Sequence, residues 1–305
     1  MGYLRHIQAL NPPVTEPFVP WSVGGQTVGW VRPGFAARLL DWPAVFEPAG
    51  EGVALLAGHV DFASRTAALA EVLDGLTRAG DLPPLLGEPY PVTPAGRDAA
   101  LCVLDRAAAA PFGVRSFGQH LNGYVRDGAD WYMWIGRRAR DRRIFPGALD
   151  QMVAGGLPHG VSLQDNLVKE GAEEAGLPAS LTLRARPVGA LTYNRVTSRG
   201  FRPDVLYCYD LELPGDFQPV NTDGEVEEFL LLPLAQVMEL VRETDKFKLN
   251  CNLVVIDFLV RHGFLGPERA DYLEILNGLR PPLGAPMCVG SIEAGMSPPL
   301  RGLAR

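Results

Sequence analysis

The chain contains few cysteines, and no two of them stand in a CxxC pair. Among its 305 residues the cysteines are Cys102, Cys208, Cys251 and Cys288. Their wide spacing argues against a zinc site or a disulfide framework, and three of them lie in apolar or strand-like stretches. The sequence therefore predicts reduced thiols within the core of a cytoplasmic protein.

Long apolar runs and an excess of positive charge are also absent. No run of about 18 apolar residues exists, so no membrane-spanning helix is expected. The opening residues, MGYLRHIQAL, lack the apolar segment of a signal peptide. A net charge of −7 and a pI near 5.3 argue against a general nucleic-acid or membrane-surface binder. We expect a small-molecule partner. If it is a polyanion, local arginines or lysines and a metal ion are expected to neutralise its charge.

Length and pattern predict two domains. With 47% hydrophobic and 21% charged residues, the chain has the composition of an ordinary globular protein. Residues 1–115 alternate short strand-like and helical stretches, which predicts a small α+β domain. Residues 116–280 begin with a β-hairpin around Asp127-Gly128 and continue with further strands and helices. The segment 281–305, rich in glycine and proline, is predicted to be an irregular tail.

The most informative stretch is 155–177, GGLPHGVSLQDNLVKEGAEEAGL, in which three carboxylates lie close together. Glu173 and Glu174 follow Glu170 by three and four residues, so on a helix all three share one face. Like charges at this spacing repel one another, and stability alone does not favour the arrangement. A divalent cation such as Mg²⁺ removes the repulsion because hard cations bind carboxylate oxygens. The pattern therefore predicts a metal site, with an ordinary solvated acidic helix as the alternative.

The flanking residues predict a helix that follows a glycine loop. Ser162 is suited to the N-cap of this helix, and Gly176 to its C-terminal end. Upstream, residues 149–154 are predicted to form a strand that ends in Gly155 and Gly156, where a backbone without side chains can approach a ligand. A metal ion held here would clamp a diphosphate between the loop and the helix.

Arginines on either side of this stretch are candidates for binding an anionic substrate. Five arginines fall within seven residues just before the glycine loop, and Arg137 and Arg138 among them are placed to meet phosphate oxygens. The alternative for this group is a solubilising basic turn. A later loop between two predicted strands carries Arg195, Arg199 and Arg202, which are further candidates for an anionic or aromatic ligand.

The stretch 155–177 resembles the Nudix hydrolase family, whose box reads G-x5-E-x7-R-E-U-x-E-E-x-G-U, with U a bulky aliphatic residue. The residues that fall in register with the box are Gly155, Glu170, Glu173, Glu174, Gly176 and Leu177. The box differs here at Val161 for the first Glu, Lys169 for the Arg and Gly171 for the first aliphatic residue. None of these three is a carboxylate that binds metal in the family, although a lysine lacks the bidentate fork of arginine.

The resemblance continues beyond the box, through HLNGYV, WIGRR, FPGALDQMVAGG, YCYDLELP, DGEVEEF and FKLNCNLVVIDFLVRHG. These segments are similar to the Nudix subfamily with an extra N-terminal domain, which in fungi is joined to thiamine pyrophosphokinase. The resemblance implies an α/β fold, a Nudix α/β/α sandwich with a mixed sheet, preceded by a small α+β domain. It also implies hydrolysis of damaged thiamine diphosphates, the oxo and oxy forms, to the monophosphates.

The resemblance further implies roles for individual acidic residues. Mg²⁺, or Mn²⁺, is expected to be bound by the carbonyl of Gly155 and by Glu170, Glu173, Glu174 and Glu225. Among the acids of the turn 223–228, Glu228 is the first choice for completing this shell and Glu225 the second. Glu170 is the candidate general base, with Glu225 and Glu228 as alternatives.

Other functions are compatible with the same fold. One is an ADP-ribose- or NADH-type nucleoside diphosphate pyrophosphatase, and another is a non-catalytic Nudix ligand sensor. The three box carboxylates favour catalysis over sensing. Isopentenyl-diphosphate isomerase-like chemistry requires a cysteine near the strand before the box, and none lies between Cys102 and Cys208. The sequence leaves the oligomeric state open, with a homodimer as one option.

Overall fold

The computed structural model describes residues 2–286, and the first part of the chain is a small α+β unit. Its helices and strands are α1 (Leu4–Leu10), β1 (Val19–Val23), β2 (Gln26–Val31), α2 (Pro33–Leu39), β3 (Phe46–Ala49), β4 (Gly52–Leu55), α3 (Phe62–Ala79), β5 (Pro89–Val92) and β6 (Cys102–Asp105). Single 3-10 turns at Arg97–Ala99 and Arg106–Ala108 stand on either side of β6.

Four of these strands form a sheet in the order β2-β1-β4-β3, while β5 and β6 pair separately. Helix α3 begins at a capping box, in which the Asp61 carboxylate accepts a hydrogen bond from the Ser64 N–H at 2.7 Å. Its apolar face, including Leu69 and Val72, packs into the same core as Trp21. The predicted α+β character of this part is confirmed.

The second part of the chain alternates strands with helices. Its elements are β7 (Ser116–Asp127), β8 (Asp130–Arg138), β9 (Leu149–Gln151), β10 (Val153–Gly156), α4 (Leu163–Ala175), α5 (Ala179–Thr182), β11 (Arg186–Thr197), β12 (Gly200–Glu212), β13 (Val226–Pro233), α6 (Leu234–Glu243), α7 (Leu249–Arg261) and α8 (Tyr272–Gly278). The remaining described residues, 279–286, contain no helix or strand.

Seven strands of this part form one mixed sheet, whose long path runs β11-β12-β7-β8-β13. Strand β7 pairs in parallel with β12, and on its other edge it pairs antiparallel with β10 and then with β8. On one face Leu167 of α4 packs against Leu121 and Met152, and on the other face α7 covers Met133 and Leu206. The predicted α/β/α sandwich with a mixed sheet is confirmed.

Helix α1 packs into the core of the second part, although it precedes the first sheet in the chain. Its Ile7 and Leu10, together with Tyr3, are buried in one cluster with α7 and α8. A domain division at residue 115 therefore cuts across an apolar contact that joins the N-terminal helix to the C-terminal helices. The division into 1–115 and 116–280 stays a prediction.

The structure differs from the sequence-based expectation at two strands. The strand predicted over 149–154 is two short strands, because β9 pairs with β8 while β10 crosses over to pair with β7. Strands β11 and β12 are longer than predicted, and only Ser198 and Arg199 connect them. Arg195 and Arg202, predicted to lie in a loop, therefore face each other across a β-ladder.

Three of the cysteines lie within the described residues, and all of them are free and buried as predicted. Cys288 lies outside those residues, as does the part of the predicted tail after residue 286. No helix among residues 2–286 has both the length and the apolar character needed to cross a membrane.

Candidate active site

Helix α4 carries the three box carboxylates, and its ends are fixed as predicted. The Ser162 hydroxyl oxygen accepts a hydrogen bond from the Asp165 N–H at 3.0 Å, which caps the first turn. At the other end Gly176 adopts the left-handed conformation with φ of +62°. Gly171, which replaces an aliphatic residue of the box, packs so closely that a β-carbon there would lie 3.2 Å from Thr182 Oγ1. The short helix α5 thus occupies the space that a larger side chain would need.

Glu174 is the most buried of the three carboxylates, with 7% of its surface exposed. Its Oε2 accepts a hydrogen bond from the backbone N–H of Ala154 in β10 at 2.8 Å. Burial raises the pKa of Glu174 from its ordinary value of 4.5 to about 8, although that hydrogen bond acts in the opposite direction. A cation bound beside Glu174 would stabilise the ionised form of this buried carboxylate, which burial alone disfavours.

Glu170 lies directly against the glycine loop. A β-carbon at Gly155 would come within 2.6 Å of the Glu170 carboxyl carbon, so only glycine leaves room for this side chain. Burial raises the pKa of Glu170, and the ammonium group of Lys169 acts against this rise. The loop and the helix therefore meet at the Glu170 carboxylate, as the sequence predicts.

Glu173 is more exposed and is held by Lys169, the residue that replaces the family arginine. Lys169 Nζ lies 2.8 Å from Glu173 Oε2 and 3.2 Å from Glu170 Oε1. A single ammonium group therefore contacts two of the three carboxylates, although it lacks the fork of arginine. Lysine in place of the family arginine therefore keeps a contact that orients Glu170 and another that orients Glu173.

These residues fit a hard divalent cation in their donor chemistry. Glu170, Glu173 and Glu174 offer carboxylate oxygens from one helix face, and Gly155 lies against the first of them. Burial is the main cause of the raised pKa of Glu174, and the nearby charges of Asp150 and Glu170 add to the rise. The three side chains share one helix face, but within residues 2–286 the group whose ligand atoms all lie within 4.8 Å of one another is His120, Asp150 and Cys251, so the role of the α4 carboxylates as ligands stays a prediction.

The acidic turn lies beside the C-terminal end of α4. The hydroxyl group of Thr222 donates a hydrogen bond to the Glu173 carbonyl oxygen at 2.7 Å, which holds the turn next to the helix. Glu225 is near enough to Glu170 to contribute to its raised pKa, and it also pairs with Arg142 at 2.7 Å. Glu225 is therefore better placed than Glu228 to join the three box carboxylates.

Two residues proposed from sequence, Glu228 and Arg137, lie opposite each other on β13 and β8. Arg137 Nε is 2.5 Å from Glu228 Oε1, and both side chains are partly exposed. This ion pair neutralises part of the charge of each group, while other N–H donors of Arg137 and the second carboxylate oxygen of Glu228 stay available. Arg195 is half-buried on β11, and no ion pair joins it to another residue within 2–286.

Arg138, predicted to meet phosphate oxygens, is mostly buried and pairs with an acidic residue of β9. Its guanidinium lies 3.2 Å from Asp150 Oδ2, and only 15% of its side chain is exposed. Lys248 also pairs with Asp150, at 3.0 Å. In this structure the charge of Arg138 neutralises a buried carboxylate that the sequence analysis did not single out, and a contact of Arg138 with phosphate oxygens stays a prediction.

Asp150 belongs to a buried polar cluster behind the helix α4. Its Oδ1 lies 2.8 Å from Cys251 Sγ, and His120 completes a His/Asp/Cys group whose ligand atoms all lie within 4.8 Å of one another. Burial and the charge of Lys248 lower the pKa of His120 to about 4, so its imidazole is neutral. Because Arg138 and Lys248 already balance Asp150, this cluster is less suited to a cation than the carboxylates of α4.

Residues of the first domain contact the loop between the glycines and α4. Arg97 Nη2 donates hydrogen bonds to the carbonyl oxygens of Pro158 and Val161, at 2.8 and 2.7 Å. The His159 N–H donates to Pro89 O at 2.7 Å, and the His159 ring stacks on Phe62 with centroids 5.3 Å apart. Sequence reasoning missed these contacts because nothing local to either segment signals its distant partner.

Gly155→Ala is expected to lower kcat/KM for a diphosphate substrate by about 100-fold, because the added methyl group displaces the Glu170 carboxylate. The measurement is metal-dependent hydrolysis, with thermal denaturation to verify folding. Gly58→Ala is the matched control, since a β-carbon there meets nothing within 4 Å. Activity of Gly155→Ala within twofold of the wild type would contradict the close contact between loop and helix.

Arg97→Ala is expected to lower kcat/KM by roughly 10-fold, because the charge-assisted hydrogen bonds that hold the 157–161 loop are lost. Faster amide hydrogen exchange in this loop should accompany the loss, and Arg97→Lys should recover part of it. Arg78→Ala serves as the control, since Arg78 is exposed and its side chain donates a hydrogen bond to Asp74 O in its own helix. Unchanged exchange in the loop would show that Arg97 does not position it.

Comparisons with known proteins agree with this arrangement. Residues 2–116 match a family described as a domain of unknown function, DUF4743, and residues 122–251 match the NUDIX domain. Nudix hydrolase 24, chloroplastic, of Arabidopsis thaliana is 42% identical over 288 residues, which span 92% of this chain and 78% of the relative. Nudix hydrolase 20, chloroplastic, of the same plant is 43% identical over 272 residues, spanning 86% and 73%.

Solved structures with a similar fold are more distant in sequence. The NUDIX domain of Shewanella oneidensis NrtR, complexed with ADP ribose, is 13% identical, with a TM-score of 0.37 over 50% of this chain and 90% of that chain. A C. elegans Ap4A hydrolase is 10% identical, with a TM-score of 0.37 over 49% and 99%. The identity to the plant enzymes over most of both lengths, together with the NUDIX match over residues 122–251, carries the assignment. This protein is an enzyme of the Nudix hydrolase family, a pyrophosphohydrolase whose Nudix domain follows a DUF4743 domain.

Proposed function

We propose that this enzyme uses Mg²⁺ or Mn²⁺ to hydrolyse an organic diphosphate to its monophosphate, with thiamine diphosphate and its oxidised forms as the leading substrates. The observation that carries the reaction type is the contact between the Glu170 carboxylate and Gly155, on the helix that also bears Glu173 and Glu174. The substrate part of the proposal is supported by the resemblance of most of the chain to the subfamily joined to thiamine pyrophosphokinase in fungi.

The metal ion would be held by Glu170, Glu173 and Glu174, with the Gly155 carbonyl and Glu225 as further ligands. When bound, it would supply positive charge beside the phosphates and lower the pKa of water. Lys169 keeps two of the carboxylates in place through its contacts at 2.8 and 3.2 Å. Ordering of these side chains before the substrate arrives reduces the reorganisation that the reaction requires.

Hydrolysis forms a bond between a water oxygen and one phosphorus atom and breaks the bridging P–O bond. The proton of the attacking water passes to a carboxylate, and the bridging oxygen leaves on the other phosphate. Glu170 is the favoured base, because burial raises its pKa and makes its carboxylate a stronger proton acceptor. Glu228 and Glu225 are the alternatives, and both are tied to arginines in ion pairs. Arg137 and Arg195 are proposed to hold the remaining negative charge of the substrate.

A substrate screen tests this function. Thiamine diphosphate, its oxo and oxy forms, ADP-ribose, NADH and dinucleoside polyphosphates are incubated with Mg²⁺ or Mn²⁺, and phosphate-bearing products are quantified. We expect the thiamine compounds to have the highest kcat/KM. A higher kcat/KM for ADP-ribose or NADH would instead indicate that the substrates are nucleoside diphosphate derivatives. Binding of these compounds without any turnover would instead support a ligand sensor.

A further inference from the structure

A cavity of about 420 Å³ lies at one end of the mixed sheet, where β7, β11 and β12 approach the C-terminal end of α7. The residues that line this sheet-end cavity include Tyr124, Arg126, Trp131, Arg184, Arg186 and Glu212. Along β7, Tyr124 and Arg126 follow Gln119, the partner of Gly155, by five and seven residues. At about 3.4 Å per residue, this places them roughly 17 and 24 Å from the glycine loop. The sheet-end cavity is therefore separate from the proposed metal site.

The carboxylates of the sheet-end cavity already have cationic partners. Asp210, whose side chain is fully buried, accepts hydrogen bonds from Arg261 Nη1 at 2.5 Å and Nη2 at 3.0 Å. His262 Nε2 also lies 2.9 Å from Asp210 Oδ2. Glu212 is paired with Arg126, whose Nε and Nη2 each lie 2.9 Å from one of its oxygens. Little negative charge is therefore left in the cavity to hold a further cation.

Arg184 and Arg186 also line the cavity, and both are exposed. Within residues 2–286, no hydrogen bond or ion pair joins either guanidinium group to another residue. Arg186 lies directly opposite Asp210 across the ladder of β11 and β12, where paired side chains are close neighbours. Arg261 occupies that carboxylate instead. The two arginines thus bring positive charge to the cavity that no carboxylate of the described chain neutralises.

The backbone fixes the positions of both arginines. The Arg184 N–H donates to Leu181 O at 3.0 Å, in the turn that follows α5, and Arg186 is the first residue of β11. Ala185, between them, packs against the apolar cluster that contains Leu211. An anion would therefore need to order only the two side chains, which limits the entropy lost on binding.

The sheet-end cavity has the chemistry and the size of a site for a phosphorylated small molecule. Guanidinium groups donate paired hydrogen bonds to phosphate oxygens, and the three non-bridging oxygens of a phosphate monoester can accept from two arginines at once. Small-molecule sites measure about 300–1,000 Å³, so a phosphate ion alone would leave much of this volume unfilled. Tyr124, Trp131 and Leu211 offer apolar surface to an organic group beside the phosphate. In a chain with a net charge of −7, the local positive charge of this cavity attracts anions.

We propose that the sheet-end cavity binds a small organic monophosphate, with Arg184 and Arg186 holding the phosphate and the aromatic wall contacting the organic group. Occupancy of this site requires no divalent metal. The proposed hydrolysis uses none of these residues, so the inference goes beyond the proposed function and does not depend on it.

Isothermal titration calorimetry with phenyl phosphate in EDTA tests this site. Without a divalent cation, the carboxylates of α4 repel a phosphate group instead of binding it. We expect the double variant Arg184→Gln, Arg186→Gln to weaken binding by at least 10-fold, and the double variant Arg184→Lys, Arg186→Lys to weaken it less. Arg78→Gln, an exposed arginine of α3, should leave Kd within twofold. No binding to the wild type, or a Kd for the glutamine double variant within twofold of the wild type, would overturn the inference.

Two further measurements show where the ligand binds and which of its groups are recognised. Phenyl phosphate should shift the backbone amide NMR signals of residues 184–186 and 210–212, and shifts confined to α4 would contradict the site. Inorganic phosphate and benzoate should each bind at least fivefold more weakly than phenyl phosphate. Equal affinity for inorganic phosphate would contradict recognition of the organic group, and equal affinity for benzoate would contradict selection for phosphate.

The same double variant separates this inference from the proposed function. If the glutamine double variant loses phenyl phosphate binding but hydrolyses diphosphates at the wild-type rate, the sheet-end cavity is a second site, as proposed. A parallel loss of hydrolysis would place the cavity within the substrate site and overturn its separation from α4. If no diphosphate is hydrolysed by the wild type, the proposed function fails, and binding in EDTA still decides this inference.

Discussion

Glu174→Gln is expected to reduce kcat/KM for the diphosphate substrate by at least about 100-fold, since the loss of a metal ligand should cost more than the loss of its supporting contacts. The amide keeps the size of the side chain and can still accept the hydrogen bond from Ala154 N–H. What it removes is the negative charge available to a cation. Hydrolysis rates across a Mg²⁺ titration would reveal both a weaker metal dependence and a lower maximal rate.

A matched variant distinguishes a metal ligand from any nearby carboxylate. Glu239→Gln, on α6, changes the same chemistry at a site remote from the proposed metal ligands in sequence and should leave activity within twofold. Should Glu174→Gln and Glu173→Gln both retain full activity with a normal Mg²⁺ dependence, the assignment of the metal site to α4 is wrong.

The same residue predicts how stability depends on pH without metal. Because burial raises the pKa of Glu174 to about 8, the folded state holds this proton more tightly than the unfolded state does. Its contribution to stability is therefore present below the ordinary value of 4.5 and is lost as pH rises towards 8. In EDTA, the urea midpoint of the wild type should decrease as the pH rises from 5 to 8.5, when compared with the midpoint of Glu174→Gln at the same pH. An unchanged difference across this range would contradict the raised pKa.

Asp150→Asn is expected to lower the free energy of unfolding by about 3–5 kcal/mol, the usual consequence of breaking a buried ion pair on one side. Asp150 is 4% exposed and neutralises both Arg138 and Lys248. The amide would leave two cations with a neutral partner, and 15% of the Arg138 side chain and 19% of the Lys248 side chain are exposed. Urea unfolding followed by tryptophan fluorescence measures the change.

The control for Asp150→Asn is Asp81→Asn, which removes a carboxylate from a pair with Arg38 that is about one-third exposed on both sides. Exposed pairs contribute about 0–1 kcal/mol, so this variant should unfold almost as the wild type does. Equal, small effects of the two substitutions would show that the Asp150 cluster does not stabilise the fold.

Much of helix α4 could be predicted from the sequence because its signals are local. The N-cap Ser162, the C-terminal Gly176 and the spacing of the three carboxylates all act within one or two helical turns. Each depends on neighbours in the chain, and each takes the expected place in the structure. The mixed sheet and the sandwich followed from the resemblance of the longer segments to the family.

The remainder depends on contacts between distant parts of the chain. Arg138 lies in a run of arginines that suggests an exposed basic turn, but its partner Asp150 becomes apparent only when β9 pairs with β8. Lys248 is 98 positions away from that aspartate. Likewise, Arg97 carries no local sign of a role, because the loop that it reaches belongs to the other domain.

The position of a bound divalent ion is the most direct test of the account. Crystals soaked with Mn²⁺ and measured near the manganese absorption edge would locate it by anomalous scattering. We expect a peak coordinated by carboxylate oxygens of Glu170, Glu173 and Glu174, next to Gly155. A peak at the His120, Asp150 and Cys251 group instead, or carboxylates of α4 that bind no ion at saturating Mn²⁺, would contradict it.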